Sequence, residues 1–229
     1  MLYNEQAVRA NIRNREGKRV YYLGKGDQLT SGARYFLTRE RIEILPADQA
    51  RPERYRLLGG GYVEEKPEHM THLNGEFLVP KDHPRILFRG KMDTLESELI
   101  LCQLADKSLE GPVGEILELA RQIIRREVLD EPMETGKLCG LTEDEQRKRS
   151  HFPQDYYGQP HFMPQASDGL AIARLNRARC AAREAELAAV TALRDREGNP
   201  TRPDILRALN RMSSMLYILM VQKKAAGTA

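Results

Sequence analysis

Residues 202–220, RPDILRALNRMSSMLYILM, decide the fold of this chain. Ile205, Leu209, Met212, Leu216 and Leu219 recur at steps of four and three, the spacing of an apolar stripe on one face of a helix. Pro203 suits a first helical turn and Thr201 or Arg202 stands near the cap, so the start is well marked. Yet Asn210, Arg211, Ser213 and Ser214 crowd the middle of this apolar run. Polar groups there are costly unless something satisfies them. The stretch therefore predicts a core helix whose centre meets a polar partner.

The same periodicity continues upstream. Residues 84–107 place Phe88, Met92, Leu95, Leu99 and Cys102 on one stripe, and 111–132 place Val113, Ile116, Ala120, Ile123 and Ile124 together before Pro132. Thr142 and Glu145 have capping-box spacing and open a short helix. Residues 167–199 read as one helix of about nine turns closed by Gly198. Its Leu175, Ala178, Ala182, Ala185, Ala189 and Ala192 form a small-residue seam suited to close packing. These segments predict a mainly α protein, an antiparallel bundle of about five helices spanning 71–229. Residues 1–70 differ. A β-prone run at 20–23, a helix start at Thr30 or Ser31, a second β-prone run near Ile42 and Ile44, and a loop rich in Gly, Pro and charge predict a small α/β arm or subdomain with a flexible loop.

Charge and motifs narrow the chemistry. Lys plus Arg number 36 and Asp plus Glu 33, a net of +3 over 229 residues. That near balance gives no broad basic field for nucleic acid or an anionic membrane, although a local Arg cluster suffices for a phosphate-bearing ligand. Three scattered cysteines without CxxC argue against a disulfide framework or zinc ribbon. With no signal segment and no run of 18 apolar residues, the expectation is a soluble intracellular chain. GxSxG, HExxH and a Rossmann glycine fingerprint are absent, and "GKGDQLTSG" at 24–32 lacks P-loop spacing.

Three constellations remain. Arg179 and Arg183 are four apart on one helix face, with Glu186 a turn further on; two guanidiniums there suit a polyphosphate, and also suit a solvated face paired with acids. Arg89, Asp93 and Glu96 share a face of the 84–107 helix, as an ion-pair ladder or as groups that orient an Arg or hold Mg²⁺ through water. The loop SHFPQDYYGQPHFMPQASDG, 150–169, combines rigid punctuation with His and aromatics and runs into the helix bearing the Arg pair, which marks a binding loop. His151 and His161 have no ligand spacing that supports a metal; His69 and His72 form an HxxH that would face one way on a helix, but Pro67 and Gly75 signal irregular backbone there, and His83 stands apart.

In this order the segments resemble the ATP:corrinoid adenosyltransferases. The Phe-Met-Pro of 162–164, the Arg pair with Glu184, and LNRMSSMLYIL (209–219) follow the propanediol-type branch, and KMDTLESELI (91–100) puts Asp93 on that branch's Asp. The ethanolamine-utilisation type is closer still, through LTSGARYFL (29–37), THLNGEFLVPKDHPRILFR (71–89), RSHFPQDYYGQPHFMP (149–164), LNRARCAARE (175–184) and RPDILRALNRMSS (202–214). Where some ethanolamine-type members carry a cysteine cluster, this chain has LLGGGYVEEKPEHM (57–70), so the resemblance implies no soft-metal site.

The resemblance implies transfer of the 5′-deoxyadenosyl group of ATP to Co(I) of a reduced corrinoid, giving adenosylcobalamin, with ATP, Mg²⁺ and cobalamin as substrates and cofactor. It assigns catalysis to Arg179, Arg183 and Asp93, ATP binding to Arg89, Arg179, Arg183, Glu184 and Asn210, and corrinoid binding to Phe162, His161 and Met163, with Phe162 as the apolar wedge below cobalt. It further implies a homo-oligomer, trimer or dimer, with sites at subunit interfaces; delivery to a B12-dependent lyase such as ethanolamine ammonia-lyase or its reactivase; no nucleic acid or membrane partner; and a cytoplasmic setting that includes bacterial microcompartments. The rival reading is a non-catalytic helical corrinoid carrier or scaffold.

Overall fold

All five residues of the stripe expected in 84–107 are fully buried on one side of a helix, as are Ile205, Leu209, Met212 and Leu216 of the opening segment. The computed structural model describes every residue except Glu16, 51–54, Thr135 and 228–229. It divides into two compact units, Met1–His83 and Pro84–Ala229. Part of the charged loop expected near residue 50 falls at 51–54, outside the described residues.

In chain order, the first unit contains β1 (Leu2–Tyr3), α1 (Glu5–Ala10), β2 (Arg13–Arg15), β3 (Lys18–Leu23), β4 (Gln28–Leu29), α2 (Ser31–Arg39) and β5 (Glu43–Pro46). It continues with β6 (Tyr55–Leu57), β7 (Tyr62–Val63), β8 (Met70–Asn74) and β9 (Phe77–Pro80). Seven of these strands form a mixed sheet in the order β5-β3-β2-β7-β6-β9-β8, while β1 and β4 pair separately. Thr30 caps α2 by accepting from the Ala33 N–H, as the sequence predicts. The connection β3–α2–β5 joins parallel strands, and Ala33, Phe36 and Leu37 of α2 close a small core with Val8, Tyr21, Leu29 and Ile42. Gly61, at φ +86°, lets the backbone approach β2: a Cβ there would lie 2.8 Å from the Ile12 carbonyl oxygen.

The N-terminal α/β arm or subdomain expected from the sequence fits the sheet and helices of the first unit. As a compact unit it runs to His83, beyond the division expected at about residue 70, because β8 and β9 pair within the sheet.

The second unit contains α3 (Pro84–Ala105), α4 (Glu110–Leu129), α5 (Glu143–His151), α6 (Pro153–Tyr157), α7 (Gly169–Ala192) and α8 (Pro203–Gly227). Cross-helix bonds fix the directions. The start of α3 meets the end of α4 through Arg85 and Glu127, and its end meets the start of α4 through Gln103 and Glu110. Lys91 and Glu98 of α3 pair with Glu184 and Arg177 of α7. Glu186 and Asp168, in and just before α7, meet Asn210 and Lys224 of α8. Arg202, just before α8, meets the Arg126 carbonyl near the end of α4, and Lys223 meets Asp106, four residues ahead of its start. Each neighbouring pair is thus antiparallel, which makes α4 and α7 run the same way. The crossover joining them, 130–168, carries α5, α6 and the His- and aromatic-rich loop.

Packing follows the sequence pattern. Val113, Ile116, Ala120 and Ile123 of α4, and Leu175, Ala178, Ala182, Ala185 and Ala189 of α7, join the α3 and α8 stripes in one core. Thr142 and Glu145 form the capping box expected at the start of α5. The helix expected through residue 199 ends at Ala192 instead. There the Asn199 N–H donates to the Asp195 side chain and the Thr201 N–H to the Leu193 carbonyl, so a tight turn replaces the last two helical turns. Among the described residues no helix is long and apolar enough to cross a membrane.

Candidate functional site

The loop 158–165 lies against the α7–α8 pair and bounds an open groove of about 680 Å³. Gly158, at φ +66°, ends α6 in the left-handed region that glycine enters without strain, and Pro160 and Pro164 stiffen the turn that follows. One wall is His161, Phe162, Met163 and Pro164; the other is Arg179 and Arg183 from α7. The floor comes from the polar centre of α8, Asn210, Arg211, Ser213 and Ser214, with Tyr217.

The groove explains the misfit in α8. Asn210 Nδ2 donates to Glu186 Oε1 on α7 at 3.1 Å, and Arg211 Nη2 donates to Asn210 Oδ1. Ser213 and Ser214 each donate Oγ–H to the Asn210 carbonyl at 3.1 Å, the back-bonding by which hydroxyls tolerate a helix interior. Ile205, Leu209, Met212 and Leu216 face the core behind them. Burial pulls the Arg211 pKa below its ordinary value, yet a guanidinium keeps its charge, so the groove holds three cations: Arg179, Arg183 and Arg211.

Aromatic contacts order the loop side. His161 stacks on Tyr217 with ring centroids 5.6 Å apart and planes 17° off parallel, and its Nδ1 lies 2.7 Å from the Tyr217 hydroxyl. Its Nε2 lies 3.0 Å from the His151 carbonyl oxygen. The Arg179 guanidinium stands 5.4 Å above the Tyr217 ring, and Lys224 Nζ lies 5.8 Å from the Phe162 ring centroid. Phe162 is half-buried against the bundle core, whereas Met163 is 83% exposed. Burial raises the Tyr217 pKa, opposed by a hydrogen bond from the Phe162 N–H.

Six of the expected site residues thus share one groove: Arg179, Arg183, Asn210, His161, Phe162 and Met163. Three do not line it. Arg89 donates Nε–H to Glu127 Oε2 at 2.7 Å, where Arg85 also binds that fully buried carboxylate. Glu184 bonds Lys91 at 2.9 Å and Arg177 at 3.2 Å, and these cations hold its pKa below the ordinary carboxylate range. Asp93 is exposed on α3. The sequence reading passed over Ser150, Asn176 and Tyr217, which also line the groove. Tyr217 follows Ser214 by three and Asn210 by seven, so helical spacing already placed it on the same face. His69, His72 and His83 belong to the first unit, where His72 Nδ1 meets the Gly75 carbonyl at 3.0 Å. Among the described residues no group of three or more His, Cys, Asp or Glu is placed to hold a metal ion.

Comparison with known proteins places the chain in a family. The chain is 31% identical to the corrinoid adenosyltransferase EutT of Salmonella typhimurium strain LT2 over 241 aligned residues, covering 95% of this chain and 90% of the relative. It is 34% identical to EutT of Escherichia coli K12 over 160 residues, 69% of this chain and 60% of that protein. The profile of a family described as Cobalamin adenosyltransferase matches residues 61–223, which include every groove residue. The chain belongs to the cobalamin adenosyltransferase family.

Proposed function

We propose that the groove is where this enzyme transfers the 5′-deoxyadenosyl group of ATP to the cobalt of a reduced corrinoid, as the names of its relatives describe. The observation that supports this site is the meeting of two unlike walls, cationic on α7 and aromatic on the 158–165 loop, across one space. In the reaction Co(I) supplies an electron pair to C5′ of the nucleotide, and the C5′–O bond breaks with its pair leaving on the polyphosphate. The charge on the leaving group calls for fixed cations, which Arg179 and Arg183 provide. Asn210 faces the nucleotide from the floor. Phe162 is the wedge that occupies the lower face of the corrinoid, flanked by His161 and Met163, and keeps an axial ligand off cobalt. The organometallic chemistry belongs to the corrinoid; the chain supplies position and environment.

Mg²⁺ is expected to arrive with the nucleotide. The side-chain oxygens of Ser150, Asn176, Asn210, Ser213 and Ser214 line the space, and Glu186 stands behind Asn210, a donor set of the hard oxygen type that Mg²⁺ accepts beside phosphates. Asp93, Arg89 and Glu184 lie outside the groove of a single chain. A homo-oligomer, dimer or trimer, is the arrangement in which Asp93 of one copy approaches the Arg pair of another. The product would serve a B12-dependent lyase such as ethanolamine ammonia-lyase, directly or through its reactivase, in the cytoplasm or within a bacterial microcompartment.

The test is anaerobic incubation of the protein with ATP, Mg²⁺ and chemically reduced corrinoid. A light-sensitive adenosylated product formed in proportion to enzyme is expected. Corrinoid that binds and stays unalkylated would favour the carrier reading instead.

A further inference from the structure

Tyr217 stands where the two walls of the groove meet. Its ring lies under the Arg179 guanidinium at 5.4 Å and against His161 at 5.6 Å, and its hydroxyl reaches the loop at His161 Nδ1, 2.7 Å away. The hydrogen-bond directions follow from the partners. The His151 carbonyl can only accept, so His161 carries its proton on Nε2 and donates there. With the proton placed there, Nδ1 is left as the acceptor of the Tyr217 O–H. The chain His151 C=O, His161, Tyr217 OH is thereby satisfied at every link. It joins the end of α5, the loop and α8.

We infer that the Tyr217 hydroxyl and the His161 imidazole form a tether that positions the Phe162 loop, with Tyr217 as a positioning residue for the reaction and His161 holding the loop rather than touching substrate through its ring nitrogens. This rests on the reading of Phe162 as the wedge. The geometry supports the tether in a way that a contact site does not. Both ring nitrogens of His161 are already committed within the chain, which leaves the imidazole no free donor or acceptor for a ligand. Met163, the next residue but one, is 83% exposed, so no burial of its own holds that end of the loop. One aromatic side chain therefore shares its face with the phosphate-side cation and its hydroxyl with the residue beside the wedge.

Tyr217→Phe keeps the ring beneath Arg179 and removes the hydroxyl. Hydrogen exchange at the Phe162 amide, followed by NMR, should become about tenfold faster or more, because the loop that carries it loses its tether at the neighbouring His161. Turnover should fall about three- to tenfold, the worth of one or two neutral hydrogen bonds, and the four-coordinate Co(II) corrinoid signal should fall with it. ATP affinity should stay within about twofold, since Arg179 and its ring contact remain. His161→Ala removes the same tether from an exposed side chain and should repeat the pattern even where Tyr217→Phe folds poorly. Unchanged Phe162 exchange in both variants would overturn the tether, and faster exchange with unaltered turnover and spectrum would overturn its positioning role. If the wild-type protein itself makes no adenosylated corrinoid, the proposed function fails, while the exchange result still decides whether the contact orders the loop.

Discussion

Asn210 of α8 gives its amide hydrogen to Glu186 of α7 at 3.1 Å, across the two helices that form the floor and one wall of the groove. The bond fixes the amide flip, because Nδ2 must face the carboxylate and Oδ1 then faces Arg211. A helix buried on one side thus carries a polar centre on the other, held ready by its neighbour. Glu186→Ala should cost about 1–2 kcal/mol in denaturant unfolding, the cost of leaving the Asn210 amide without its acceptor. A smaller loss, below about 0.3 kcal/mol, would mean that solvent replaces the bond freely.

Arg183→Ala should weaken ATP binding about ten- to a hundredfold, corresponding to one lost charge-assisted phosphate contact of about 1.5–3 kcal/mol. Its melting temperature should stay near wild type, because Arg183 lines an open groove and carries no core contact. Titration calorimetry with ATP and Mg²⁺ measures the first and a thermal melt the second. Wild-type ATP affinity in a folded variant would remove Arg183 from the clamp.

The carboxylate of Glu127 is fully buried at the end of α4, and Arg85 and Arg89 of α3 both donate to it. Glu127→Ala takes the carboxylate from both guanidiniums, leaving Arg85 its bond to the residue-127 carbonyl, and should cost about 3–5 kcal/mol. Arg89, expected beside the nucleotide, serves this helix junction in the single chain. Arg89→Ala should therefore lower stability, and a loss of ATP affinity with unchanged unfolding would show that its duty lies elsewhere.

Asp204 is one of the carboxylates of the bundle whose pKa folding lowers most. Burial raises its pKa, but hydrogen bonds from Arg202 and from the Met133 and Ile205 N–H groups outweigh that and bring it to about 2. A pKa depressed in the folded state stabilises above the unfolded value and is lost as pH falls. The contribution should vanish between about pH 4 and about pH 2, and solvent screening limits it to about 1 kcal/mol. Asp204→Asn should flatten the stability profile in that window, and an unaltered profile would assign the acid limb to other groups.

The helical stripes were legible because burial on one face imposes a period that residues such as Phe88, Met92 and Leu95 cannot hide. The sheet was not. Its strands are two to six residues long, and β2 reads Arg-Asn-Arg, so no alternation marks it. In the groove, the Arg pair and the Phe162 loop could be read from residue type and order. The commitment of Arg89 and Glu184 to Glu127, Lys91 and Arg177 could not, because ion-pair choice depends on which helices become neighbours. Tyr217 was hidden by its apolar surroundings, though its spacing from Asn210 pointed to the same face.

The central claim is that the corrinoid meets Phe162 in this groove, and the spectrum of bound Co(II) corrinoid tests it most directly. With ATP and Mg²⁺ present, wild-type protein should show the electronic and paramagnetic signature of four-coordinate Co(II). Phe162→Ala removes about 3 kcal/mol or more of apolar contact, shared between loop packing and ligand, and opens the lower face to water or the nucleotide base. The variant should hold mainly five-coordinate Co(II), with ATP affinity nearly unchanged because the ring does not touch phosphate. A four-coordinate signal as strong in Phe162→Ala as in wild type would contradict the account.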